Sequence, residues 1–344
     1  MSTASALPDT IRVVLQPDKT SHKLVLRNNQ PLPSLSHPED VLLRVAATCP
    51  CLGELDWAAD LPHVFTEPKE PVPGQDVAGT VVAVGSGVKT LSPGQPVFGR
   101  IKATRPGGCR DYAVVRADEL AVKPASLGWN EAAATPLSAL TAWQALFYQG
   151  SLKKEGIFGD DHEARKANAA KKVFIAGAGS SVGMWAVQFA SLAGAAEVVA
   201  LCSGSKADLV REFGATEIVD YTKTSVAEWA RHSPERQADL VIDCVGGNSM
   251  GHLWEAVRDG GIFLSICQDP KDVRPDGNTK TLEKDDFFIM DSVGSQLAKL
   301  APLVESGKAR PLVDSVYPFE KFAEAFEKVE GRRAKGKVVI RISE

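Results

Sequence analysis

The residues best suited to chemistry follow a short apolar run near the middle of the chain. Val173 to Ala176 is apolar, and it is followed by Gly177-Ala178-Gly179-Ser180-Ser181-Val182-Gly183. Four consecutive apolar residues predict a strand buried on both faces, and the small residues after it let the backbone approach a bulky anion closely. A pyrophosphate at this turn would meet free amides and the positive end of a following helix. The pattern therefore predicts a phosphate-binding turn between a strand and a helix.

A second strand follows at the spacing of a dinucleotide-binding unit. The apolar run Val198 to Leu201 arrives about twenty residues after the turn, where such a unit reads the adenosine ribose. No acidic residue ends the run, and Cys202-Ser203-Gly204-Ser205-Lys206 follows. Two hydroxyls and an ammonium suit a 2′-phosphate better than a bare diol, which favours NADPH over NADH. An ordinary helix cap with a solvated first turn explains the same polar residues equally well.

Length and composition indicate a soluble, two-domain protein. The chain has 344 residues, of which 44% are hydrophobic and 24% charged, and its formal net charge is -4. Nothing in this balance points to nucleic acid or an anionic membrane as a partner. The first residues, MSTASALPDT, lack the basic and apolar regions of a signal peptide, and no later apolar run approaches membrane-spanning length. We therefore expect a cytoplasmic protein.

The six cysteines predict reduced thiols and no metal centre. They are spread too widely for a disulfide framework or paired zinc knuckles. Cys49 and Cys51 could begin a zinc site, but no histidine or cysteine follows at a spacing that would complete the ligand shell.

The order of apolar runs divides the chain into two kinds of structure. From Ile11 to about Leu120, short runs broken by glycine and proline predict a compact β-rich domain. A helix is expected over Glu131 to Phe147, with a kink or break at Pro136. The charged segment 151–172 is expected to be a solvated loop or short helix. Strands and helices then alternate, which predicts an α/β fold with a doubly wound parallel sheet, and a final strand over Lys337 to Ile342 is expected to return to the first domain.

These segments, taken in order, resemble the medium-chain dehydrogenase/reductase superfamily, and within it the zinc-independent quinone oxidoreductase and enoyl reductase branch. The likeness covers nearly the whole chain. Its motifs are PVPGQDVAGTVVAVGSGV (71–88), AAATPLSALTAWQALF (132–147), VFIAGAGSSVG (173–183), LVREFGATEIVDY (209–221), LVIDCVGG (240–247) and the segment 303–340. The resemblance implies a GroES-like β-barrel-type catalytic domain, formed by 1–140 and 296–344, and a Rossmann NADP-binding domain formed by 141–295.

The resemblance also assigns cofactor-binding positions. It places the pyrophosphate against Gly179, Ser180, Ser181 and Val182, with Gly183 allowing close helix packing. It places the 2′-phosphate among Ser203, Ser205, Lys206 and Tyr221, and the nicotinamide ribose beside Val245 and Gly246, with Ile266 at the end of the fifth strand. Thr141 and Lys337 are less direct assignments. Members of this group often form dimers through an edge strand, and the run Ile262 to Ile266 fits either that role or a strand inside the sheet.

Two departures from the related enzymes bear on chemistry. Zinc alcohol dehydrogenases of the superfamily have a Gly-His-Glu motif where this chain has Gly74-Gln75-Asp76, so the histidine ligand is missing. Relatives also carry an Asn-Pro-x-Asp segment, whereas this chain reads Gly53-Glu54-Leu55-Asp56, which retains only the aspartate. Without zinc as a Lewis acid, a quinone or an α,β-unsaturated carbonyl is the expected hydride acceptor.

The candidates for polarising the substrate or relaying a proton are Asp56, His63 and Thr141. A histidine titrates near neutral pH, although a lone histidine in a proline-rich loop more often has no catalytic role. The altered 49–57 segment also motivates an alternative, in which an NADP(H)-binding protein of this fold serves a non-redox reaction or a scaffolding role.

Overall fold

The computed structural model describes residues 7–232 and 234–343. Its contacts divide the chain into two compact units, the first formed by Met1–Leu137 with Asp291–Glu344 and the second by Ser138–Met290. The resemblance implies domain boundaries after residue 140 and before residue 296, and each lies a few residues from the corresponding boundary in the structure. The first six residues, part of the segment behind the cytoplasmic expectation, lie outside the described residues.

The regular elements are numbered in chain order. The strands are β1 (Thr10–Leu15), β2 (Val25–Pro31), β3 (Asp40–Cys49), β4 (Asp76–Val84), β5 (Pro96–Arg100), β6 (Tyr112–Arg116), β7 (Leu120–Val122), β8 (Lys172–Ala176), β9 (Glu197–Cys202), β10 (Glu217–Asp220), β11 (Ala238–Asp243), β12 (Val257–Ser265), β13 (Lys284–Phe287), β14 (Val313–Pro318) and β15 (Lys337–Arg341). The α-helices are α1 (Trp57–Asp60), α2 (Trp129–Ala133), α3 (Pro136–Gln144), α4 (His162–Asn168), α5 (Ser181–Leu192), α6 (Ala207–Glu212), α7 (Val226–Arg231), α8 (Gly294–Glu305) and α9 (Phe322–Glu330).

The first unit is built on a seven-stranded sheet in the order β14-β15-β3-β4-β5-β7, with β6 also paired to β3. The sequence prediction of a β-rich domain is confirmed. The last strand pairs antiparallel with β3, Ile340 lying opposite Thr48, so the chain end does return to this unit. Strand β14 was not predicted, because its side chains are mostly half-buried and its sequence shows no apolar run.

The second unit holds a six-stranded parallel sheet in the order β10-β9-β8-β11-β12-β13. This confirms the doubly wound fold. The strand order reverses at β8, which has β9 on one side and β11 on the other, and the carboxyl ends of strands at such a point border the ligand crevice of this architecture. The apolar run Ile262 to Ile266 lies mainly in β12, an interior strand, and the polar strand β13 at the edge was not predicted.

The expected helix over Glu131 to Phe147, with a kink or break at Pro136, is confirmed as two helices, α2 and α3, followed by a π-helical turn. Pro136 lacks an N–H and is suited to a first helical turn, and it begins α3. The charged segment 151–172 contains α4, whose first turn is capped by Asp161. This segment is not fully solvated, since buried Asn168 donates hydrogen bonds to the carbonyls of Lys153 and Ala193, each at 2.9 Å. Within the described ranges, no helix has the length and apolar character needed to span a bilayer.

A buried ion pair fixes the start of two strands of the first unit. The Lys337 ammonium, at the beginning of β15, lies 2.9 Å from the carboxylate of Asp76, the first residue of β4, and both side chains are almost fully buried. The other Asp76 oxygen accepts a hydrogen bond from the Leu137 amide at 2.7 Å, in the first turn of α3. Burial lowers the pKa of Lys337, but the opposing effects of its neighbours, with the negative charge of Asp76 the largest, together outweigh burial, so the pKa is raised and the lysine stays charged.

Breaking this pair from one side is expected to be costly. Lys337→Met leaves Asp76 as an uncompensated buried charge, so we expect a loss of about 3–5 kcal/mol in the free energy of unfolding, measured by urea denaturation. The control Lys335→Met removes an exposed lysine two residues away and should change stability by less than about 0.5 kcal/mol. Equal stability of the two variants would contradict the assigned role of the pair.

Candidate functional site

The turn after β8 has the backbone shape of a phosphate cradle. Ser180 caps α5, its hydroxyl accepting a hydrogen bond from the Gly183 amide at 3.1 Å. A Cβ atom on Gly183 would lie 2.2 Å from the Gly177 carbonyl oxygen, so only glycine fits there. The close packing of the helix on the turn holds the first amides of α5 at the carboxyl end of β8, where an anion would be favoured.

The end of β9 carries the polar group that the sequence assigned to the ribose. The hydroxyl oxygens of Ser203 and Ser205 lie 3.0 Å apart. Lys206 crosses to the neighbouring turn, where its ammonium donates to the Gly179 carbonyl at 2.6 Å and its alkyl chain covers that glycine. Tyr221 is 61% exposed just past β10. The structure therefore brings the predicted pyrophosphate and ribose residues into one contiguous region.

One carboxylate at this edge was not identified from the sequence. Asp220, the last residue of β10, accepts hydrogen bonds from the amide and hydroxyl of Thr222 at 3.0 and 2.7 Å. Both hydrogen bonds lower the pKa of Asp220, the bond from the hydroxyl having the larger effect, and they keep the carboxylate ionised. Its second oxygen faces Gly204, and Lys223 lies 3.7 Å away. Ser203 to Lys206 thus share their surroundings with a negative charge.

The loop after β11 is held by a buried aspartate. Asp243 ends that strand, and its carboxylate accepts hydrogen bonds from the amides of Val245 and Gly246 at 3.1 and 3.0 Å and from the Ser265 hydroxyl at 2.8 Å. Burial raises the pKa of Asp243, while these hydrogen bonds oppose the rise. The Asp243 carbonyl also accepts from the Ile266 amide at 3.2 Å. One residue missed by the sequence analysis therefore aligns Val245, Gly246 and Ile266.

The three candidates for substrate chemistry lie in different settings. Asp56 precedes α1, and its carboxylate contacts the His22 imidazole at 2.7 Å, a hydrogen bond that raises the pKa of His22. Glu330 lies close to both residues, all three ligand atoms falling within 4.8 Å of one another. His63 is exposed in the turn after α1, and Thr141 is buried in α3, within the second unit.

Lys337, assigned to the cofactor by the resemblance, has another place in the structure. Its ammonium is buried in the first unit against Asp76, as described above. We therefore assign it to the ion pair that positions β4 and β15.

The first unit contains a cavity of about 350 Å³ that the sequence did not reveal. Apolar side chains, Trp57 and Phe65 among them, form part of its wall, and Glu54, Lys69 and Gln75 contribute polar groups. Burial raises the pKa of Glu54 to about 7 and lowers that of Lys69 to about 8. The sequence signal for Glu54 is that it stands where related enzymes have the proline of their Asn-Pro-x-Asp segment.

The residues at the position where zinc alcohol dehydrogenases of the superfamily bind zinc do not fit a zinc ion. Gln75 stands where the zinc enzymes have histidine, and its amide is best oriented to donate to the carbonyls of Ile101 and Lys102 at 3.0 and 3.3 Å. Burial raises the pKa of Cys51 to about 12 and that of Cys49 still further, so both thiols are protonated in the metal-free protein. Among the described residues, neither thiol joins a cluster of three His, Cys or carboxylate ligands.

Two family models match the chain. "Alcohol dehydrogenase GroES-like domain" matches residues 37–126, and "Zinc-binding dehydrogenase" matches residues 213–340. Among solved structures, an alcohol dehydrogenase superfamily protein from Novosphingobium aromaticivorans aligns with a TM-score of 0.80 and 27% identity, covering 97% of this chain and 99% of that one. These matches confirm the GroES-like and parallel-sheet architecture.

Curated relatives align over almost the whole chain. "Probable zinc-binding oxidoreductase, mitochondrial" of Arthroderma benhamiae is 43% identical, covering 99% of this chain and 100% of the relative. "NAD(P)H oxidoreductase RTN4IP1, mitochondrial" of Mus musculus is 31% identical over 94% of this chain and 88% of the relative. "2-methylene-furan-3-one reductase" of Solanum lycopersicum is 32% identical over 98% of this chain and 81% of the relative.

The relatives correct the expected location. Two of the three are named mitochondrial, including the one with 43% identity, so the expectation of a cytoplasmic protein is wrong. That expectation rested on the composition of the first ten residues, which does not carry enough information to decide between compartments.

The tight packing at Gly183 yields a test of the turn. In Gly183→Ala the added methyl must displace the backbone of the turn, since it meets a carbonyl oxygen rather than a flexible side chain. We expect NADPH binding, measured by fluorescence titration, to weaken about tenfold or more. Gly128→Ala makes the same change where only the end of the Glu131 side chain is in the way, and should bind as the wild type does. Unchanged affinity in Gly183→Ala would argue against this turn as the cradle.

Proposed function

This chain is an oxidoreductase of the medium-chain dehydrogenase/reductase superfamily, and from that premise we propose that it is an NADPH-dependent, zinc-independent reductase of quinones or α,β-unsaturated carbonyl compounds. The observation that carries the proposal is the alignment of three features along one edge of the parallel sheet. The glycine turn, the Ser203 to Lys206 segment and the Asp243-held loop all follow the carboxyl ends of neighbouring strands, β8, β9 and β11. That edge, at the reversal of strand order, is where this architecture binds dinucleotides.

The residues present fit a dinucleotide, and each part has a physical task. The amides at the start of α5 would hold the pyrophosphate, and the hydroxyls and ammonium of Ser203, Ser205 and Lys206 would contact a 2′-phosphate. The loop of Val245 and Gly246 would border the nicotinamide ribose, its backbone fixed by Asp243. When bound, a reduced nicotinamide cofactor supplies hydride to an electron-poor carbon.

The proposed acceptor class follows from the first unit's chemistry. The donor set around Cys49, Cys51 and Gln75 does not suit zinc, so the oxygen of an alcohol or aldehyde would lack the Lewis acid that the zinc enzymes use. Quinones and activated alkenes are reduced without one, because their own conjugation stabilises the charge formed on hydride addition. The name of the Solanum lycopersicum relative, an enone reductase, supports this class. Asp56, His63 and Thr141 remain our proposed groups for polarising the acceptor.

The departure of the segment 49–57 from its relatives favours one alternative, a nucleotide-binding protein with a non-redox or scaffolding role. Titration of the purified protein with NADPH and NADH, followed by an acceptor panel monitored at the reduced-nicotinamide absorbance, separates the two. We expect preferential NADPH binding and NADPH oxidation with 9,10-phenanthrenequinone or an enone. A folded, NADPH-binding protein that leaves the whole panel unreduced would favour the alternative.

Lys206 provides the sharper test of cofactor preference. Removing an ammonium that binds a phosphate costs about 1.5–3 kcal/mol, so we expect Lys206→Met to weaken NADPH binding about ten- to hundredfold and to leave NADH binding nearly unchanged. Lys223→Met is the matched control, because it removes another lysine of the same edge that lies beside Asp220. An equal loss for NADPH and NADH in Lys206→Met would mean that this lysine supports the turn rather than reading the phosphate.

A further inference from the structure

Three side chains able to bind a metal meet at one point on the surface of the first unit. His22 lies in the loop between β1 and β2, Asp56 precedes α1, and Glu330 is the last residue of α9. One ligand atom of each lies within 4.8 Å of the other two, and we call these residues the His22 cluster. An imidazole nitrogen with two carboxylate oxygens is a donor set suited to divalent transition metals.

The negative charge of the His22 cluster is not balanced by the protein. In the described part of the chain, no lysine or arginine nitrogen lies within 4.0 Å of the Asp56 or Glu330 carboxylate, and His22 is the one basic partner of Asp56. The imidazole carries at most one positive charge against two negative charges. Two carboxylates this close repel each other, and a divalent cation between them would remove that repulsion.

Asp56 occupies a helix position where its side chain ordinarily has another partner. It is the N-cap of α1, and an aspartate there commonly accepts a hydrogen bond from an amide of the first turn. The Asp56 side chain makes no such capping bond, and its carboxylate instead lies 2.7 Å from the His22 Nε2. The carboxylate is therefore directed to the cluster and not to the helix that it begins.

One side chain outside the cluster holds two of its segments together. The Gln16 side-chain amide donates to the Ser21 carbonyl at 3.2 Å and to the Leu55 carbonyl at 2.7 Å. These carbonyls belong to the residues immediately before His22 and Asp56. The two ligands are thus brought together by a contact that does not involve their own side chains, and less conformational freedom is lost when an ion binds.

The third ligand is oriented by a backbone amide. One oxygen of the half-buried Glu330 carboxylate accepts a hydrogen bond from the Gly53 amide at 3.0 Å. A carboxylate has about four lone-pair sites, so this bond leaves sites for a metal. Zinc–ligand bonds of about 2.0–2.2 Å place ligand atoms roughly 3–3.5 Å apart, so the His22 cluster would close around an ion by side-chain rotations of about an ångström.

We propose that the His22 cluster binds a first-row divalent transition metal ion such as Zn²⁺, and that the ion fastens the β1–β2 loop to the end of α9. The site is distinct from the position where the zinc alcohol dehydrogenases bind zinc, because it contains neither Gln75 nor a cysteine. It lies wholly within the first unit and requires no cofactor, so the inference goes beyond the proposed function. With the ion bound, Asp56 is a ligand, and polarising the acceptor would fall to His63 and Thr141.

The donor set also selects the kind of ion. Mg²⁺ and Ca²⁺ prefer sites made only of oxygen ligands, whereas imidazole favours ions such as Zn²⁺, Co²⁺ and Ni²⁺. Three protein ligands leave at least one coordination position for water, so we expect weaker binding than in a closed four-ligand zinc site. Because His22 and Glu330 are far apart in sequence, an ion that joins them closes a long loop and should stabilise the folded unit.

Isothermal titration of the metal-stripped, full-length protein with ZnCl₂ tests the assignment. We expect one site that is weakened about tenfold or more in His22→Gln and in Glu330→Gln, since loss of an outer-shell partner alone costs about 10–100-fold in metal affinity. MgCl₂ should give no comparable binding. Zn²⁺ binding of equal strength in wild type and both variants, as expected for an ion held by the exposed Cys267 thiol, would overturn the proposal. Mg²⁺ binding as tight as Zn²⁺ binding would overturn it too.

The chain offers a matched control for each ligand. Glu327→Gln removes an exposed carboxylate from the same helix, one turn before Glu330. His162→Gln removes an exposed histidine that stands between two acidic residues and, among the described residues, joins no cluster of three ligand atoms. Both controls should bind Zn²⁺ as the wild type does. A loss of affinity in the controls equal to that in His22→Gln would contradict the site.

The proposed fastening gives a readout of its own. An ion that binds only the folded protein raises Tm, and at a ZnCl₂ concentration 100 times the wild-type Kd we expect a rise of about 5 °C or more that EDTA reverses. His22→Gln and Glu330→Gln, checked for native folding by circular dichroism, should show a rise of less than about 1 °C. An equal rise in all three proteins would place the ion elsewhere, and binding to wild type without any rise would overturn the fastening of the loop.

Discussion

The ion pair of Asp76 and Lys337 is the contact on which the chemistry of the first unit depends. It joins the starts of β4 and β15 and, through the Leu137 amide, the start of α3. The residues just before Asp76 are thereby fixed, and Gly74, with a positive φ that favours glycine, directs its amide at Glu54. Because a buried charge without a partner is costly, this part of the unit has little freedom to rearrange. The position of the acid in the cavity follows from that rigidity.

The two buried carboxylates differ in how their charge is balanced. Asp76 has a lysine in direct contact, and this ion pair joins two strands of the first unit. Glu54 has two amides instead, and amides compensate a full charge less completely than an ammonium does. The same unit therefore holds one carboxylate in an ion pair and another on backbone amides, and the pKa of the second, Glu54, is raised to about 7 by its burial.

The sequence predicted the parts of the structure that depend on local pattern. Apolar runs identified the parallel sheet, and the glycine spacing located the turn before α5, because both signals lie within a few residues. It failed for polar edge strands such as β13, where no apolar run exists. It also missed the cavity, because Glu54, Lys69 and the carbonyl of Ala103 are distant in sequence and meet only through the fold. The one available signal was an acid in a segment that departs from its relatives.

The charged groups at the cavity of the first unit and at the loop after β11 share one feature. Glu54 and Asp243 are held by backbone amides and Lys69 by backbone carbonyls, so each is oriented by neutral partners. A salt bridge would fix the side chain equally well, but it would also neutralise the charge and so weaken its electrostatic interaction with a ligand. Backbone hydrogen bonds fix the position of a charged side chain without neutralising its charge. The pKa of such a group is then shifted by burial, as it is for Glu54 and Lys69. Asp76 and Glu54 thus show two ways of holding a buried carboxylate in one unit, the first by an ammonium and the second by backbone amides alone.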